Sequence, residues 1–354
     1  MLLSSIPQRR LRSQRLVGDG FRRIADAVTW LGAVQAQDYA LAKWALGLRV
    51  PGATDDEVEQ AFADGAILRT HVLRPTWHFV TPADIRWLLA LTAPRVQQVN
   101  ASVYRKIEID RDVVRRSRAA LVRALRGHRY CQRDELRAAL QKAGVRVSGE
   151  MRMSYLLMHA ELDGVVCSGP RQGKQFTYAL LDERVPSAKA VDRRDALVEL
   201  ARRFFTSRGP ATPRDFAKWS GLTLTDARQG LEGAGRALAC DAIDGRTFWF
   251  ASRPAGQASM RTPTAHLLSI YDEYISGYKD RRAIITAAHA TRLRAMGGAL
   301  TAIVIVNGRV AGTWKRRFER KAVVVSVDLF GPLTRAEQTA VRSAERKFVE
   351  FLQG

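Results

Sequence analysis

Apolar residues along the chain recur at helical spacing and then switch to strand spacing, and they do so three times. In the first stretch Phe21, Ile24, Ala25, Val28 and Leu31 share one helical face, and Leu41, Trp44, Ala45 and Leu48 share the next. Gly65 leads into an expected strand at 67–73, a turn at Arg74-Pro75 and a second strand at 77–80. Thr81-Pro82 with Asp84 predicts a helix start, with a hydroxyl cap, proline at the first helical position and a carboxylate in the first turn.

The second stretch starts near Asp112. Val113, Ser117, Leu121 and Leu125 mark one helix, 133–142 a second that stops at Gly144, and Met153, Leu156, Leu157 and Ala160 a third. Strands at 165–167 and 176–180 flank a glycine-rich basic tip. In the third stretch Leu197, Leu200, Ala201 and Phe204 share a face. Thr212-Pro213 with Asp215 opens the next helix, Gly221 ends it, and Thr225 or Asp226 starts a short last one. A hairpin at 238–243 and 247–250 then turns at Asp244-Gly245.

Beyond residue 262 the pattern becomes strands, at 266–270, 301–306, 309–315 and 321–327, with Asn307-Gly308 as the strongest hairpin signal. Thr334 with Glu337 is a capping box opening a final helix toward Leu352. Helices followed by a hairpin at this spacing fit a winged helix. The expected fold is α+β: three tandem winged-helix units at 8–110, 111–185 and 191–255, then a small C-terminal β-barrel with a terminal helix at 262–354.

Charge narrows the function. The 354 residues hold 57 Lys and Arg against 35 Asp and Glu, a net +22, and 47 of the cations are arginine. Such a field favours a polyanion. Between Arg105 and Arg152 there are 14 cations against 6 carboxylates, the strongest bias of the helical stretches. The three cysteines and six histidines lie at no metal-ligand spacing, so no metal or other cofactor is expected. No run of 18 apolar residues predicts a membrane span. The expected setting is the cytoplasm, on nucleoid DNA, and apart from 334–352 no dimerisation helix is evident, so a monomer is expected.

Candidate chemistry starts at Val34-Gln35-Ala36-Gln37-Asp38. The stripe of the first helix continues inward to position 35, where a glutamine stands in place of an apolar residue. Gln35 and Gln37 lie about 200° apart on an ideal helix, so they converge only if the helix ends between them. Asp38 then reads as the cap of the following helix. The bland alternative is that both amides satisfy backbone groups at this corner. Three carboxylates are alternative catalytic groups: Asp38, and Asp272 and Glu273 in Tyr271-Asp272-Glu273-Tyr274, which otherwise anchor local arginines such as Arg281 and Arg282. The first hairpin offers His71, Arg74, Thr76, Trp77 and His78, able to bond phosphates or stack on bases, unless it is simply half-buried around Trp77. Arg171 and Lys174 on the second tip are candidate phosphate contacts. There is no glycine-rich phosphate loop, Ser/His/Asp or Cys/His arrangement, or paired-metal carboxylate cluster.

These residues also carry a resemblance. Arg12-Ser13-Gln14-Arg15-Leu16, Val34 to Gln37, Arg69-Thr70-His71 with Arg74 to His78, Gly209 to Thr212, Asp215 to Gly221, Tyr271 to Tyr274 and Val306-Asn307-Gly308 resemble the AlkZ-like winged-helix DNA glycosylases, the azinomycin-resistance family related to bacterial YcaQ. The resemblance spans nearly the whole chain. It implies a basic concave surface for double-stranded DNA, alkylated or crosslinked, and monofunctional release of N-alkylated purines. It also implies that Gln35 and Gln37 position the attacking water and that the first hairpin enters a groove. The related branch carries a carboxylate at the second motif position; Gln37 favours the branch specialised for bulky alkylguanines. Two alternatives stand beside it: a non-enzymatic winged-helix DNA-binding regulator, and a glycosylase-derived protein that binds lesions without cutting.

Overall fold

A computed structural model of the chain describes residues 3–252, 262–298, 301–320 and 322–354. It opens with helix α1 (Ile6–Ser13), which the hydrophobic pattern does not announce. Ile6 and Leu11 point inward there, but so do Arg10 and Gln14, each at most 1% exposed, so polar residues occupy part of the buried face. Helix α2 (Ile24–Leu31) ends at Gly32, whose φ of 73° lies in the left-handed region. A short strand β1 (Val34–Gln35), α3 (Tyr39–Gly47) and α4 (Asp55–Ala63) follow. Helix α4 is a second unannounced element: its first turn is Asp55, Asp56 and Glu57, and only Val58 and Phe62 supply fully buried apolar side chains.

The hairpin β2 (Leu68–Val72) and β3 (Arg74–Val80) leads into the 25-residue α5 (Pro82–Lys106), which begins where Thr81-Pro82 predicts. Next come α6 (Arg111–Leu125), β4 (Cys131–Gln132), α7 (Arg133–Lys142), α8 (Gly149–Leu162), β5 (Val166–Ser168), β6 (Thr177–Leu180) and the single turn α9 (Leu181–Arg184). Then α10 (Arg193–Arg208), α11 (Pro213–Ser220) and α12 (Leu224–Ala234) precede the hairpin β7 (Leu238–Ile243) and β8 (Arg246–Ala251). Helix α12 starts earlier than Thr225 or Asp226, because Thr223 is its cap: Asp226 N donates to the Thr223 hydroxyl at 3.0 Å, and the Asp226 carboxylate takes Thr223 N at 3.0 Å. Asp244 and Gly245 have φ of 48° and 71°, the left-handed pair of a type I′ turn.

The C-terminal part comprises β9 (Ala265–Leu268), the one-turn α13 (Glu273–Ser276), α14 (Ala287–Ala295), β10 (Ile303–Val306), β11 (Arg309–Phe318), β12 (Val323–Leu329) and α15 (Arg335–Gln353). Residues 253–255 at the end of the third expected unit, and Lys321 at the start of an expected strand, lie outside the described residues. Among the described residues four strands run in the order β12-β11-β10-β9, an open sheet and not the expected barrel. Closing a barrel requires edge strands that meet with the right tilt and stagger, and four strands, two of them only four residues long, are too few. Helix α15, opened by the Thr334–Glu337 capping box, packs on this sheet instead.

The chain divides into two compact units. One comprises residues 1–59, 198–219 and 223–354; the other comprises 60–197 and 220–222. In the first, Trp44 of α3 and Trp314 of β11 both stack on Phe348 of α15, with ring centroids 5.1 and 4.7 Å apart. The Trp44 indole donates to Leu267 O at 2.6 Å and the Trp314 indole to Leu268 O at 2.8 Å, which ties α3 to β9. In the second, α6, α7 and α8 close around Leu121, Leu125, Leu136, Leu140, Met153 and Leu156.

Candidate active site

The Gln35–Gln37 segment is the link from α2 to α3. Ala33, Val34 and Ala36 are buried, Gln35 is 9% exposed and Gln37 is exposed. The helix ends at Gly32, before position 35, so Gln35 closes the short strand β1, Gln37 lies in the link to α3, and the two do not share a helix. Asp38 is the cap of α3, as its position predicts: its Oδ1 accepts from Leu41 N at 2.9 Å.

The segment is gripped by its own backbone. Glu273, fully buried, accepts from Gln35 N at 2.9 Å through Oε1. Its Oε2 accepts from Arg208 at 2.6 and 3.1 Å and from the Trp219 indole at 2.9 Å. Arg208, also fully buried, donates onward to Leu31 O at 2.8 Å and Ala33 O at 3.1 Å, and its guanidinium lies 4.3 Å from the Trp219 ring. One carboxylate and one guanidinium thus hold residues 31, 33 and 35 together. Asp272 makes the parallel clamp: Arg49 donates to its two oxygens at 3.0 and 2.9 Å, and to Ala45 O and Gln14. Gln14 then reaches Glu273 O at 3.2 Å and the Tyr278 hydroxyl at 3.0 Å, joining the clamps. Burial pushes the Tyr278 phenol above its ordinary range, so it stays a neutral donor, here to Arg208 O at 2.7 Å.

This corrects the expectation for Asp272 and Glu273. Their partners are Arg49 and Arg208, not Arg281 and Arg282; the Arg282 side chain pairs with Asp280 at 2.9 Å. Both carboxylates are at most 1% exposed, with every oxygen engaged. Their partners include arginines, the Trp219 indole and backbone N–H groups, which suits them to position the segment.

The hairpin β2–β3 belongs to the second unit. His71 pairs across the strands with Trp77, and Thr70 with His78. The strand 68–72 is buried throughout, and His71 and His78 are 4% and 0% exposed. His71 Nδ1 makes a short contact with the buried Glu161 of α8, and its ring lies 4.4 Å from that of Trp77. His78 Nδ1 lies 2.9 Å from Thr76 O. Even the turn is covered: Leu73 is 1% exposed, its N–H donates to Thr92 Oγ1 at 3.1 Å, and a Cβ on Gly221 would stand 2.2 Å from its carbonyl oxygen. What remains toward solvent is Arg74 to Trp77, with Pro75 the most open.

Arg69, 8% exposed, lies between Trp77 and Phe176, its guanidinium 4.3 and 4.7 Å from the two rings. Arg171 covers Phe176 in turn at 5.4 Å. A continuous stack therefore runs from Glu161 through His71, Trp77, Arg69 and Phe176 to Arg171 on the second hairpin. Lys174 stands exposed beyond it, at the Gln172–Gln175 turn. The expected first- and second-hairpin residues are thus brought together through Arg69 and Phe176, which the sequence placed in a motif and a strand but did not single out as contacts. Sequence reasoning passed over the tip of β11–β12, where Lys315, Arg317 and Arg320 are exposed beside Phe318 at 64%; the run Lys315-Arg316-Arg317-Phe318 was the available signal.

Among the described residues no group of three or more His, Cys, Asp or Glu could hold a metal ion, and no helix is long and apolar enough to cross a membrane. The family model for AlkZ-like DNA glycosylases matches residues 28–351. An interstrand DNA cross-link repair glycosylase of Streptomyces sahachiroi is 24% identical over 303 residues, 82% of this chain and 81% of that protein. The solved structure of the Streptomyces sahachiroi DNA glycosylase AlkZ superposes with a TM-score of 0.82 at 22% identity, covering 99% of this chain and 96% of that one.

Proposed function

The chain belongs to the AlkZ-like family of DNA glycosylases, and from that premise we propose that it hydrolyses the N-glycosidic bond of cationic N-alkylated purines in duplex DNA. N7-alkylguanine is the type substrate, with bulky natural-product adducts and interstrand crosslinks within reach. In this reading the segments 8–110, 111–185 and 191–255 are winged helices, and 262–354 is a sheet-and-helix unit, all serving a monomer that works on nucleoid DNA in the cytoplasm.

The observation that carries the proposal is the Glu273–Arg208 clamp on residues 31, 33 and 35. Catalysis by neutral amides needs placement above all, because an oriented dipole acts only where charge develops. Alkylation at N7 makes guanine cationic, so the glycosidic bond is already weakened and the base departs neutral. The transition state resembles an oxocarbenium ion at the deoxyribose. Gln35 and Gln37 offer both an acceptor and a donor for a water approaching that carbon. The clamp is a closed ion pair, so it fixes the backbone without adding net charge beside the developing cation. His71, Arg74, Thr76, Trp77 and His78 form or support the DNA-facing hairpin, Arg171 and Lys174 meet phosphates, and the β11–β12 tip adds further cations. Affinity then rests on phosphate contacts and falls with salt.

The test is single-turnover base release from matched duplexes carrying N7-methylguanine, uracil or unmodified guanine, scored as alkali-labile breaks. Gln35→Ala and Gln37→Ala are each expected to slow N7-methylguanine release about 10²-fold or more, with duplex affinity unchanged. Uracil should stay in place, because nothing in this mechanism activates a neutral leaving group. Uracil release at a rate comparable to N7-methylguanine would overturn the charge-driven mechanism. Tight lesion binding with no release by the wild-type protein would leave a lesion-binding protein.

A further inference from the structure

Glu273, which opens α13, holds the glutamine segment; Ser276, which closes α13, lines a separate cavity of about 500 Å³. Its wall mixes apolar, cationic and polar side chains. Ile285 and Leu293 are apolar, while Lys279, Arg281 and Arg294 bring positive charge. No carboxylate among the described residues offsets Arg281, which is partly buried; burial alone acts on its guanidinium and lowers its pKa. Asp280 also lines the cavity, and its carboxylate is paired with Arg282 and Arg246. The Lys279 backbone N–H donates to Asp215 at 2.7 Å, and its ammonium makes no ion pair among the described residues. Ser276 is 6% exposed, and its buried Oγ has no hydrogen-bond partner among the described residues. A partly desolvated cation without a counter-charge and a buried hydroxyl without a partner both cost stability until a ligand satisfies them.

We propose that this cavity binds a small organic anion, an oxyanion group such as phosphate or carboxylate joined to an apolar body. Arg281, Lys279 and the Ser276 hydroxyl take the oxyanion, and Ile285 and Leu293 pack the body. The volume lies in the range of small-molecule sites, and such sites combine apolar walls with a few convergent polar groups. A phosphate of the DNA backbone would use the cations but leave the apolar wall empty.

Calorimetric titration of the whole chain with 1-naphthyl phosphate, 1-naphthoate, inorganic phosphate and neutral 1-naphthol tests this without reference to base release. The two naphthyl anions are expected to bind at least about tenfold more tightly than inorganic phosphate or naphthol, since a charge-assisted contact and apolar burial act together. Arg281→Leu and Leu293→Trp should each weaken that binding about tenfold or more. Duplex affinity should stay within about twofold in both, and Arg281→Leu keeps the test open where the larger tryptophan perturbs folding. Absence of saturable binding, or naphthyl phosphate binding no better than inorganic phosphate, overturns the proposal. So does competition of unmodified duplex with the naphthyl anions, which would assign the cavity to the DNA backbone.

Discussion

The segment from Leu31 to Asp38 is held by its backbone, whereas the hairpin from Leu68 to Val80 is held by its side chains. In the first, Glu273 and Arg208 grip the Gln35 N–H and the carbonyls of Leu31 and Ala33. In the second, the residues proposed to meet DNA are themselves the mortar: His71 on Glu161, Trp77 on His71, Arg69 between Trp77 and Phe176. The difference concerns separability. An amide whose backbone is clamped can be replaced without dismantling the loop that carries it. A tryptophan that is mortar as well as the proposed contact cannot be replaced without loosening the hairpin.

The clamp gives the largest expected effect. Glu273→Ala leaves the Arg208 guanidinium buried without its carboxylate, a change expected to cost about 3–5 kcal/mol, because an uncompensated buried charge is far worse than either pair or none. Gln35→Ala should cost about 1 kcal/mol or less, since the Gln35 N–H donor survives the substitution. Urea unfolding of the two variants measures the gap. Comparable losses would mean that the Gln35 side chain is itself part of the scaffold, and the separability would be gone.

The hairpin predicts the opposite coupling. Trp77→Ala should lower stability by about 1–2 kcal/mol, from the Arg69 cation–π interaction and the packing around the ring, and weaken lesion-duplex binding in the same variant. Trp77→Phe keeps an aromatic face and should recover most of the stability. Unfolding and lesion-duplex titration of both variants check this; full stability with abolished binding in Trp77→Ala would place Trp77 on the DNA alone.

The three main anchors are written in the sequence in the same form as Gln35, as polar residues continuing an apolar stripe. Gln35 stood out because it continues the apolar stripe of α2. By the same rule Arg49 continues Leu41, Trp44 and Ala45, Arg208 continues Leu200, Ala201 and Phe204, and Glu161 lies one turn past Leu157. Each is an ionisable residue at an inward position, and each proved a buried anchor. What no stripe could give is the pairing, since Arg208 and Glu273 are 65 residues apart. The Thr334–Glu337 capping box and the Asp244-Gly245 turn were legible because a few adjacent residues decide them, while the equally local Thr223–Asp226 box was read two or three residues late. Helices α1 and α4 were not, because Arg10, Gln14 and the acidic first turn of α4 interrupt the apolar period on which detection depends. The open sheet depends on strand number and length, which only the assembled chain fixes.

A smaller effect separates the second hairpin from the first. Arg171 ends the stack and Lys174 lies beyond it, so neither is mortar in the way that Trp77 is. Replacing both with Ala should leave the unfolding midpoint nearly unchanged. Removal of each cation that neutralises a phosphate should flatten the slope of log affinity against log salt by about 0.9, on lesion and undamaged duplex alike. Salt titrations on the two duplexes read this directly; a weakening confined to lesion DNA would make the second tip a lesion reader.

The smallest effect is a pH dependence that reports on the clamped region alone. His266 is half-buried on β9, its Nε2 2.7 Å from Leu16 O, in the same unit as Arg49 and Asp272. Burial, and then the positive charges of Lys347 and Arg49, pull its pKa from 6.5 down to about 4, against the upward pull of the Leu16 hydrogen bond. The unfolded chain therefore takes up this proton at a higher pH than the folded one does. Stability linked to His266 is complete above about pH 6.5 and is lost progressively as the pH falls toward 4. One proton bound only by the unfolded chain changes stability by at most about 1.4 kcal/mol per pH unit. His266→Gln removes the titrating group while keeping a donor for Leu16 O. Urea midpoints followed from pH 7 to pH 5 should therefore fall more steeply for the wild type than for this variant. Hydrogen exchange at residues 31–38 should rise over the same interval in the wild type, because the strand that carries His266 is tied through Trp44 to the helix that begins at Tyr39. Parallel pH slopes in the two proteins would show that His266 does not report on the clamp, and the acid sensitivity of this unit would have to lie with its carboxylates.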